Sequence, residues 1–492
     1  MSTPVLVRPS TVASMLLATV ERDGDRLALV ERERRLTWDE LAAEATAVAG
    51  ALHARGVTPG DGVAVVLGND EAFVSSFLGV QLAGAMAVPL NPQFNVEELA
   101  RHLAVAPVTG IVAAPATAAR FTDRDLASWV ATPSELSGTP SAGPPVEPDP
   151  AAPALLAFSS GSTGTPKGMI RSNANLTAEA DHFTATVGIT GDDVFLAVVA
   201  LFHAHGLGNA LLASLRSGAP LVTGPFERDA TLAAIRDERV TIFPAVPFIF
   251  RTLAETRRAT RHDLASLRLC ISAGAPLDQE TAVRFAERFG VPIRQLYGCS
   301  EAGSVTIDLA PDTRRGSVGR PMRGIDVTIV DDTGAPVAAG TTGEITFRSA
   351  ALTAGYVGSD ATDASPFADA WFRTGDLGHV DAAGDLFITG RTKLFISTSG
   401  YKVDPFEVEA VLLDQPGVAE VVVVGTPDER GEEVVKAVVV PDRADLDEDA
   451  LRTALVDACR ARLAPFKVPR IVELRAEIPR SPLGKILRKY LV

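Results

Sequence analysis

Residues 155–168 read LLAFSSGSTGTPKG. An apolar run of strand type feeds into Ser159, Ser160, Gly161, Ser162, Thr163, Gly164, Thr165, Pro166, Lys167 and Gly168. Glycines let the backbone turn its N–H groups toward an anion, the hydroxyls add donors, and the lysine adds charge. The stretch is not a Walker A loop. Counted from Gly161, that motif needs glycine at 166 and serine or threonine at 168, where this chain has Pro166 and Gly168. A flexible surface loop would not account for so many hydroxyls behind an apolar strand. The stretch reads as a phosphate-binding loop.

Upstream, residues 36–56 (LTWDELAAEATAVAGALHARG) repeat apolar side chains at helical spacing and stop at Gly56, a C-cap signal. VAVVLGND then reads as a buried strand, and FVSSFLGVQLAGAMAVPL as helix followed by strand. This alternation predicts an α/β core. Residues 133–153 are rich in Pro, Ser, Ala and Gly and read as a loop before the phosphate motif. Strand and helix patterns alternate again to about residue 350. Beyond Arg391 the texture changes. DPFEVEAVLL reads as a helix, VAEVVVVGTPD and VVKAVVVP as strands, and residues 447–463 as a second helix before a basic tail. The division expected is an N-terminal domain 1–391, a hinge 392–394, and a small α+β domain 395–492.

At 492 residues the chain is too long for one core. Its net charge of −15 argues against a nucleic-acid binder, whose affinity rests on neutralising phosphates with Lys and Arg. The three cysteines, Cys270, Cys299 and Cys459, form no CxxC pair and suggest neither a disulfide framework nor a thiolate metal site. The N-terminal segment reads as an amphipathic helix rather than a signal peptide, and no apolar run is long enough to span a membrane. A cytoplasmic enzyme is the expectation.

Seven further motifs follow the phosphate loop in order. They are ALFHAHG at 200–206, SAGAP at 272–276, YGCSEAG at 297–303, WFRTGD at 371–376, ITGRTK at 388–393, SGYKVDPFEVE at 399–409 and PRSPLGKILRKYL at 479–491. Together with SSGSTGTPKG they resemble the adenylate-forming superfamily of acyl-CoA synthetases, peptide-synthetase adenylation domains and luciferases. The resemblance covers essentially the whole chain. It implies a large α/β N-terminal domain, with mixed sheets flanked by helices and a small β-barrel-like part, followed by a mobile α+β C-terminal domain. It also implies a two-step reaction. A carboxylate attacks the α-phosphorus of ATP and expels pyrophosphate, and a thiol then displaces AMP from the acyl adenylate. Both steps build negative charge, so cations and preorganised donors matter more than a protein nucleophile.

The resemblance assigns roles residue by residue. Ser160, Gly161, Ser162, Thr163, Gly164 and Lys167 would hold phosphates. Tyr297 and Gly298 would lie against adenine, with Ser272, Gly274, Ala275 and Pro276 lining the other side. Ser300 would donate to the α-phosphate, and Glu301 would bind Mg2+, a hard ion that takes carboxylate and phosphate oxygens together. Asp376 would accept from the ribose hydroxyls, and Arg391 would grip ribose or phosphate. Lys485 would be the catalytic lysine, Lys393 the hinge, His203 the gate between nucleotide and thiol channels, and Gly400, Tyr401 and Lys402 the border of the thiol tunnel. Where the family often carries Asp after the hinge residue, this chain has Leu394. Residues 298–302 also look like a GxSx(G/A) nucleophile elbow, but neither a His/Asp context nor an oxyanion loop accompanies them.

The acyl pocket is expected from Phe202, His205, Val246, Phe248, Ala273, Cys299 and Gly303. No Asp stands within residues 201–204, where amino-acid-activating relatives grip the α-ammonium, so an α-amino acid is disfavoured. His205 is similar to a second histidine of malonyl- and oxalyl-type synthetases and, with Arg251, would suit a diacid. A monocarboxylic acyl or aryl acid is the first expectation. The acceptor is coenzyme A or a carrier-protein phosphopantetheine, with Arg460, Arg462, Lys467 and Arg470 as surface cations for either. A non-catalytic nucleotide-binding protein is disfavoured, because Lys167, Glu301, Asp376, Arg391 and Lys485 are all intact.

Overall fold

The computed structural model describes residues 9–105, 108–121, 124, 126–137, 146–159, 166–256, 260–310, 316–357, 366–368, 370–391, 395–443, 447–479, 486 and 488–492. The side chains of Ser159, Ala368, Arg391 and Lys489 are outside that description. Two compact units result. One comprises residues 1–92, 106–157 and 168–390, and the other 93–105, 158–167 and 391–492. The C-terminal unit thus starts at Arg391 and gathers two short N-terminal segments that composition does not reveal.

The first unit is built on two large sheets. A six-stranded sheet has the order Trp129–Ala131, Gly110–Ala113, Gly62–Val66, Met86–Pro89, Pro153–Ser159, Lys167–Ser172, and its first five strands are parallel. The phosphate motif begins as Pro153–Ser159 leaves this sheet. A nine-stranded sheet runs Arg320–Pro321, Gly303–Ile307, Ile293–Cys299, Leu269–Ser272, Ile242–Ala245, Phe195–Ala197, Leu221–Thr223, Leu27–Glu31, Arg34–Thr37. It is parallel from Ile293–Cys299 to Leu27–Glu31 and antiparallel at both ends. Its central strands read as continuous apolar runs because both faces are covered. In Leu269–Ser272, Leu269 and Ile271 enter one core cluster while Cys270 enters the other. Cys270 is therefore a packing residue, and burial pushes its thiol far above the ordinary range. Phe243, Phe250 and Phe285 pack edge to face and Phe289 tilts against Phe285 in the second cluster, with centroids 4.9–5.5 Å apart.

The helices start where their caps dictate. Thr37 and Glu40 form a capping box for Trp38–Ala54, and Asp70 caps Glu71–Leu82. Leu41, Val48 and Leu52 of the first helix and Phe73 and Phe77 of the second join the main core. A five-stranded sheet completes this unit: Ile325–Val330, Gly343–Ser349, Trp371–Val380 and Phe367–Ala368 run antiparallel, and Leu386–Arg391 pairs with Trp371–Val380.

In the second unit, strands Val418–Pro427, Glu433–Pro441 and Ile471–Leu474 form a sheet, with helices Pro405–Leu413 and Glu448–Arg462 contributing to its core. The hairpin Ile396–Thr398/Tyr401–Val403 turns through Ser399 and Gly400, both at positive φ (48° and 85°). That pair is the signature of a two-residue type I′ turn, and glycine is the residue that tolerates it.

Candidate active site

Four neighbouring parallel strands of the nine-stranded sheet deliver the central motifs. Phe195–Ala197 leads into 200–206, Ile242–Ala245 into Val246 and Phe248, Leu269–Ser272 into 272–276, and Ile293–Cys299 into 297–303. Parallel strands place these continuations along one edge, outside their carboxyl ends, where α/β sheets bind ligands. Motifs separated by about a hundred residues in sequence become neighbours this way.

Tyr297 Oη donates to Asp376 Oδ2 at 2.7 Å, so the residues expected on the adenine and ribose sides are brought together. Both are buried, at 7% and 2% exposure. Burial, reinforced by the Asp376 charge, pushes the Tyr297 hydroxyl well above its ordinary range, and it stays a donor. The turn before Asp376 is pinned to the adjacent strand. Thr374 Oγ1 donates to Ile345 O at 2.7 Å, the Asp376 amide donates to Thr374 Oγ1 at 3.0 Å, and the Gly375 amide donates to Glu344 Oε1 at 3.0 Å. Ser272 Oγ, at the end of its strand, is buried with no hydrogen-bond partner among the described residues. A buried hydroxyl left without a partner is costly, and a ligand atom is one way to satisfy it.

Ser300 and Glu301 lie in the turn between antiparallel strands Ile293–Cys299 and Gly303–Ile307. This strand–turn–strand geometry differs from the strand–turn–helix of a nucleophile elbow. Glu301 is 8% exposed, and its Oε1 accepts from Tyr356 Oη at 2.6 Å. The Cys299 thiol is pushed well up by burial and by neighbouring Glu301. Among the described residues no group of three or more His, Cys, Asp or Glu side chains is placed to hold a metal alone. A single carboxylate suits Mg2+, which usually shares protein oxygens with substrate phosphates.

Beneath the turn lies a buried ion pair that sequence reading missed. Arg171 Nη1 donates to Glu179 Oε2 at 2.6 Å, with side chains 1% and 2% exposed. Burial raises the Glu179 carboxyl while Arg171 draws it back down. Removing one partner of such a pair costs about 3–5 kcal/mol. Glu179 fits only because two neighbours are glycines. A Cβ at Gly208 or Gly303 would come within 1.9 or 2.0 Å of its carboxylate. Gly303 also sits at φ +77°. Gly303→Ala is therefore expected to cost about 3 kcal/mol of stability. A denaturant midpoint equal to the parent's would refute that packing argument.

In the expected acyl pocket, His205 Nε2 lies 3.1 Å from Ala245 O, and Asn209 Nδ2 lies 2.8 Å from His205 Nδ1. Ser304 Oγ donates to Asn209 Oδ1 at 2.7 Å. With Nε2–H as donor and Nδ1 as acceptor, every group in the series is satisfied by a neutral ring. Burial lowers the His205 value to about 4. With both ring nitrogens engaged and the ring uncharged, His205 offers no cation to a distal carboxylate. Asn209 lies in a π-helical turn, Leu207–Leu212, a local irregularity frequent at functional sites. Phe202 is half-buried against the main core and Ala273 is buried within it, while Val246 and Phe248 belong to the second cluster. His203 is exposed. Arg251 lies on the helix Pro247–Ala254 with Nε buried and unbonded among the described residues.

His102 is buried and, like His205, lowered to about 4. The unfolded chain therefore takes up protons between about pH 6.5 and 4 that the folded chain refuses. Stability present above 6.5 should fall as pH drops through that window. Melting temperatures measured across it should fall less steeply for His205→Gln than for the parent. Parallel curves would argue against a neutral His205.

In the second unit Tyr401 stacks on Phe466, with centroids 4.3 Å apart and planes 14° apart, and Lys402 is half-buried. The group of surface cations needs correction. Lys467 is 7% exposed, with Nζ 2.8 Å from Glu98 Oε1 and 2.9 Å from Glu407 Oε2. Two carboxylates hold this ammonium in the interior. Arg460, Arg462 and Arg470 face Asp457, Asp414 and Asp428 respectively. Ser160, Gly161, Ser162, Thr163, Gly164, Thr165, Lys393, Leu394 and Lys485 lie outside the described residues, as does the Arg391 side chain. No described helix is long and apolar enough to cross a membrane.

Residues 16–357 match the AMP-binding enzyme family and residues 407–485 its C-terminal domain. The chain is 35% identical to a feruloyl-CoA synthase of an Amycolatopsis species over 461 residues, 92% of each chain. It is 34% identical to an indoleacetate–CoA ligase of Aromatoleum aromaticum over 474 residues, again 92% of each. Among solved structures, the amide bond synthetase McbA of Marinactinospora thermotolerans superposes with a TM-score of 0.88 at 31% identity, covering 98% of this chain and 99% of that one. The o-succinylbenzoate CoA synthetase of Bacillus subtilis also gives 0.88, at 28% identity and coverage of 97% and 98%. The chain belongs to the AMP-binding enzyme family, as a ligase of its AMP-forming acyl-CoA synthetase branch.

Proposed function

We propose that this protein activates a monocarboxylic acid with an aromatic or other apolar body as its adenylate, using ATP and Mg2+, and passes the acyl group to coenzyme A. The observation that carries the choice of acid is the uncharged His205–Asn209–Ser304 series. A diacid brings a second carboxylate that wants a cation, and His205 does not supply one. The names of the feruloyl and indoleacetate relatives agree with an aryl acid.

In this reading Tyr297 and Ser272–Pro276 hold the base, Asp376 and Arg391 hold the ribose, and residues 160–167 cradle the phosphates. Ser300 donates to the α-phosphate, and Lys485 neutralises charge between carboxylate and α-phosphate. Glu301 would supply the protein oxygen to Mg2+, which when bound neutralises phosphate charge. The residue types fit that ion. His203 and residues 400–402 would line the path of the thiol. Coenzyme A is preferred to a carrier protein because the feruloyl and indoleacetate relatives are named for coenzyme A products, and the paired arginines and buried Lys467 favour neither acceptor.

The test is pyrophosphate exchange over a panel of hydroxycinnamic, indole-acetic, fatty and dicarboxylic acids, followed by product analysis with coenzyme A, a phosphopantetheinylated carrier or a primary amine. Exchange strongest with aryl monoacids, and thioester formed with coenzyme A, is the expected result. Exchange strongest with a dicarboxylate would overturn the choice of acid. Amide without thioester would move the chain toward the chemistry named for McbA.

A further inference from the structure

We propose that Tyr356 and Arg171 are positioning residues that fix the Glu301 carboxylate against the strand leaving the phosphate loop, and that this placement sets the apparent affinity for Mg2+. The proposal builds on the reading of Glu301 given above.

Residues 351–357 are stitched to two site elements at once. On one side the Val357 amide donates to Gly168 O at 2.7 Å, and Thr353 Oγ1 donates to Ile170 O at 2.6 Å. Met169 and Tyr356 form an antiparallel bridge between these bonds. On the other side the Thr353 amide donates to Glu301 O at 2.8 Å, and Tyr356 Oη reaches Glu301 Oε1 at 2.6 Å. Glu301 is therefore held by backbone and side chain from a segment that is itself clamped to Lys167–Ser172. A neutral phenol is well suited to this task. It orients the carboxylate without cancelling the charge a cation needs.

Arg171, in the same strand, closes the arrangement from beneath. Its Nη2 donates to Ala302 O at 3.3 Å and Ala351 O at 3.1 Å, while Nη1 is locked by Glu179. Ala302 follows Glu301 directly, and Ala351 opens the segment that ends at Tyr356 and Val357. One planar fork thus joins both ends of the clamp. A lysine ammonium, a single point with three donors, cannot span a carboxylate and two separated carbonyls in the same way. The phosphate-loop exit and the carboxylate that shares the metal move as one body.

The variants are Tyr356→Phe, Arg171→Lys, Arg171→Met/Glu179→Met, Glu301→Gln and Tyr356→Phe/Glu301→Gln. The double methionine variant removes the carbonyl grip without leaving a buried charge unpaired. Each is checked for a parent-like melting transition. Binding of a non-hydrolysable ATP analogue is measured by calorimetry against Mg2+ concentration, with pyrophosphate exchange alongside. Tyr356→Phe should weaken the Mg2+ dependence about 10- to 100-fold, the scale of losing an outer partner of a metal ligand. Metal-free analogue binding should be unchanged. In the Glu301→Gln background the same change should add less than about twofold, because it acts through that carboxylate. The folded Arg171 variants should shift the Mg2+ titration in the same direction. A shifted Glu301→Gln titration beside unchanged Tyr356→Phe and Arg171 variants overturns the proposal alone. So does a Tyr356 effect that persists in full without Glu301. An unchanged Glu301→Gln titration overturns the metal reading of Glu301, and the proposal with it.

Discussion

Lys485→Ala should lower pyrophosphate exchange by about 10²- to 10³-fold, the scale of removing one preorganised donor from a charge-building step. Thioester formation from supplied acyl adenylate should remain within a few-fold of the parent. The reason lies in the charges. Attack on the α-phosphorus brings a carboxylate and a phosphate together, and both repel until a cation stands between them. Transfer from the finished adenylate expels AMP, already a stable anion, and has less need of that ammonium. Lys485 follows Ser481-Pro482-Leu483-Gly484, an isolated lysine in a turn-forming context rather than a member of a solvated basic run. The two half-reactions are assayed on one preparation. Equal losses in both would remove Lys485 from the adenylation step.

The second large effect is expected at Asp376. Asp376→Ala should weaken ATP binding about 10- to 100-fold, and it carries two separable losses. The ribose grip disappears, and Tyr297 Oη loses its 2.7 Å acceptor in a buried setting. A bond to a charged group contributes about 1.5–3 kcal/mol, about 10- to 100-fold in affinity, while the orphaned buried donor costs about 1–3 kcal/mol that falls chiefly on folding stability. Asp376→Asn keeps an acceptor oxygen for Tyr297 and should fall in between. Tyr297→Phe keeps the ring and removes the hydroxyl, and should weaken binding least. Calorimetric titration with ATP ranks the three. If Tyr297→Phe proved as damaging as Asp376→Ala, the tyrosine hydroxyl rather than the ribose grip would be the main determinant.

The sequence was legible wherever periodicity and turn chemistry agree. The run ending at Gly56 is the helix Trp38–Ala54, and DPFEVEAVLL is the helix Pro405–Leu413. The paired valine runs after residue 418 are adjacent antiparallel strands. Motif order was enough for the family. What sequence could not supply was what lies beneath the motifs. Arg171 and Glu179 are eight residues apart and look like ordinary helix-start charges; only the glycines at 208 and 303 make room for their buried pair. Lys467 reads as one more cation of a basic tail until Glu98, 369 residues away, closes on it. His205 reads as a possible cation until its two ring nitrogens are found engaged by Ala245 and Asn209. Tyr356 sits in an unremarked TAGY stretch, and only the bridge to Met169 carries it to Glu301.

The central strands of the nine-stranded sheet have a consequence for how this protein can change. Leu269, Cys270 and Ile271 are gripped on both faces, while the loops that follow each strand leave the sheet separately. On the proposed reading, a replacement at Val246 or Phe248 would alter one wall of the acyl pocket at the end of one strand and leave the neighbouring strand ends in register. Acid preference can therefore drift independently of nucleotide chemistry. Directed libraries confined to residues 246–248 and 202–209 should recover altered acid preference at far higher frequency than libraries of the same size spread over the sheet.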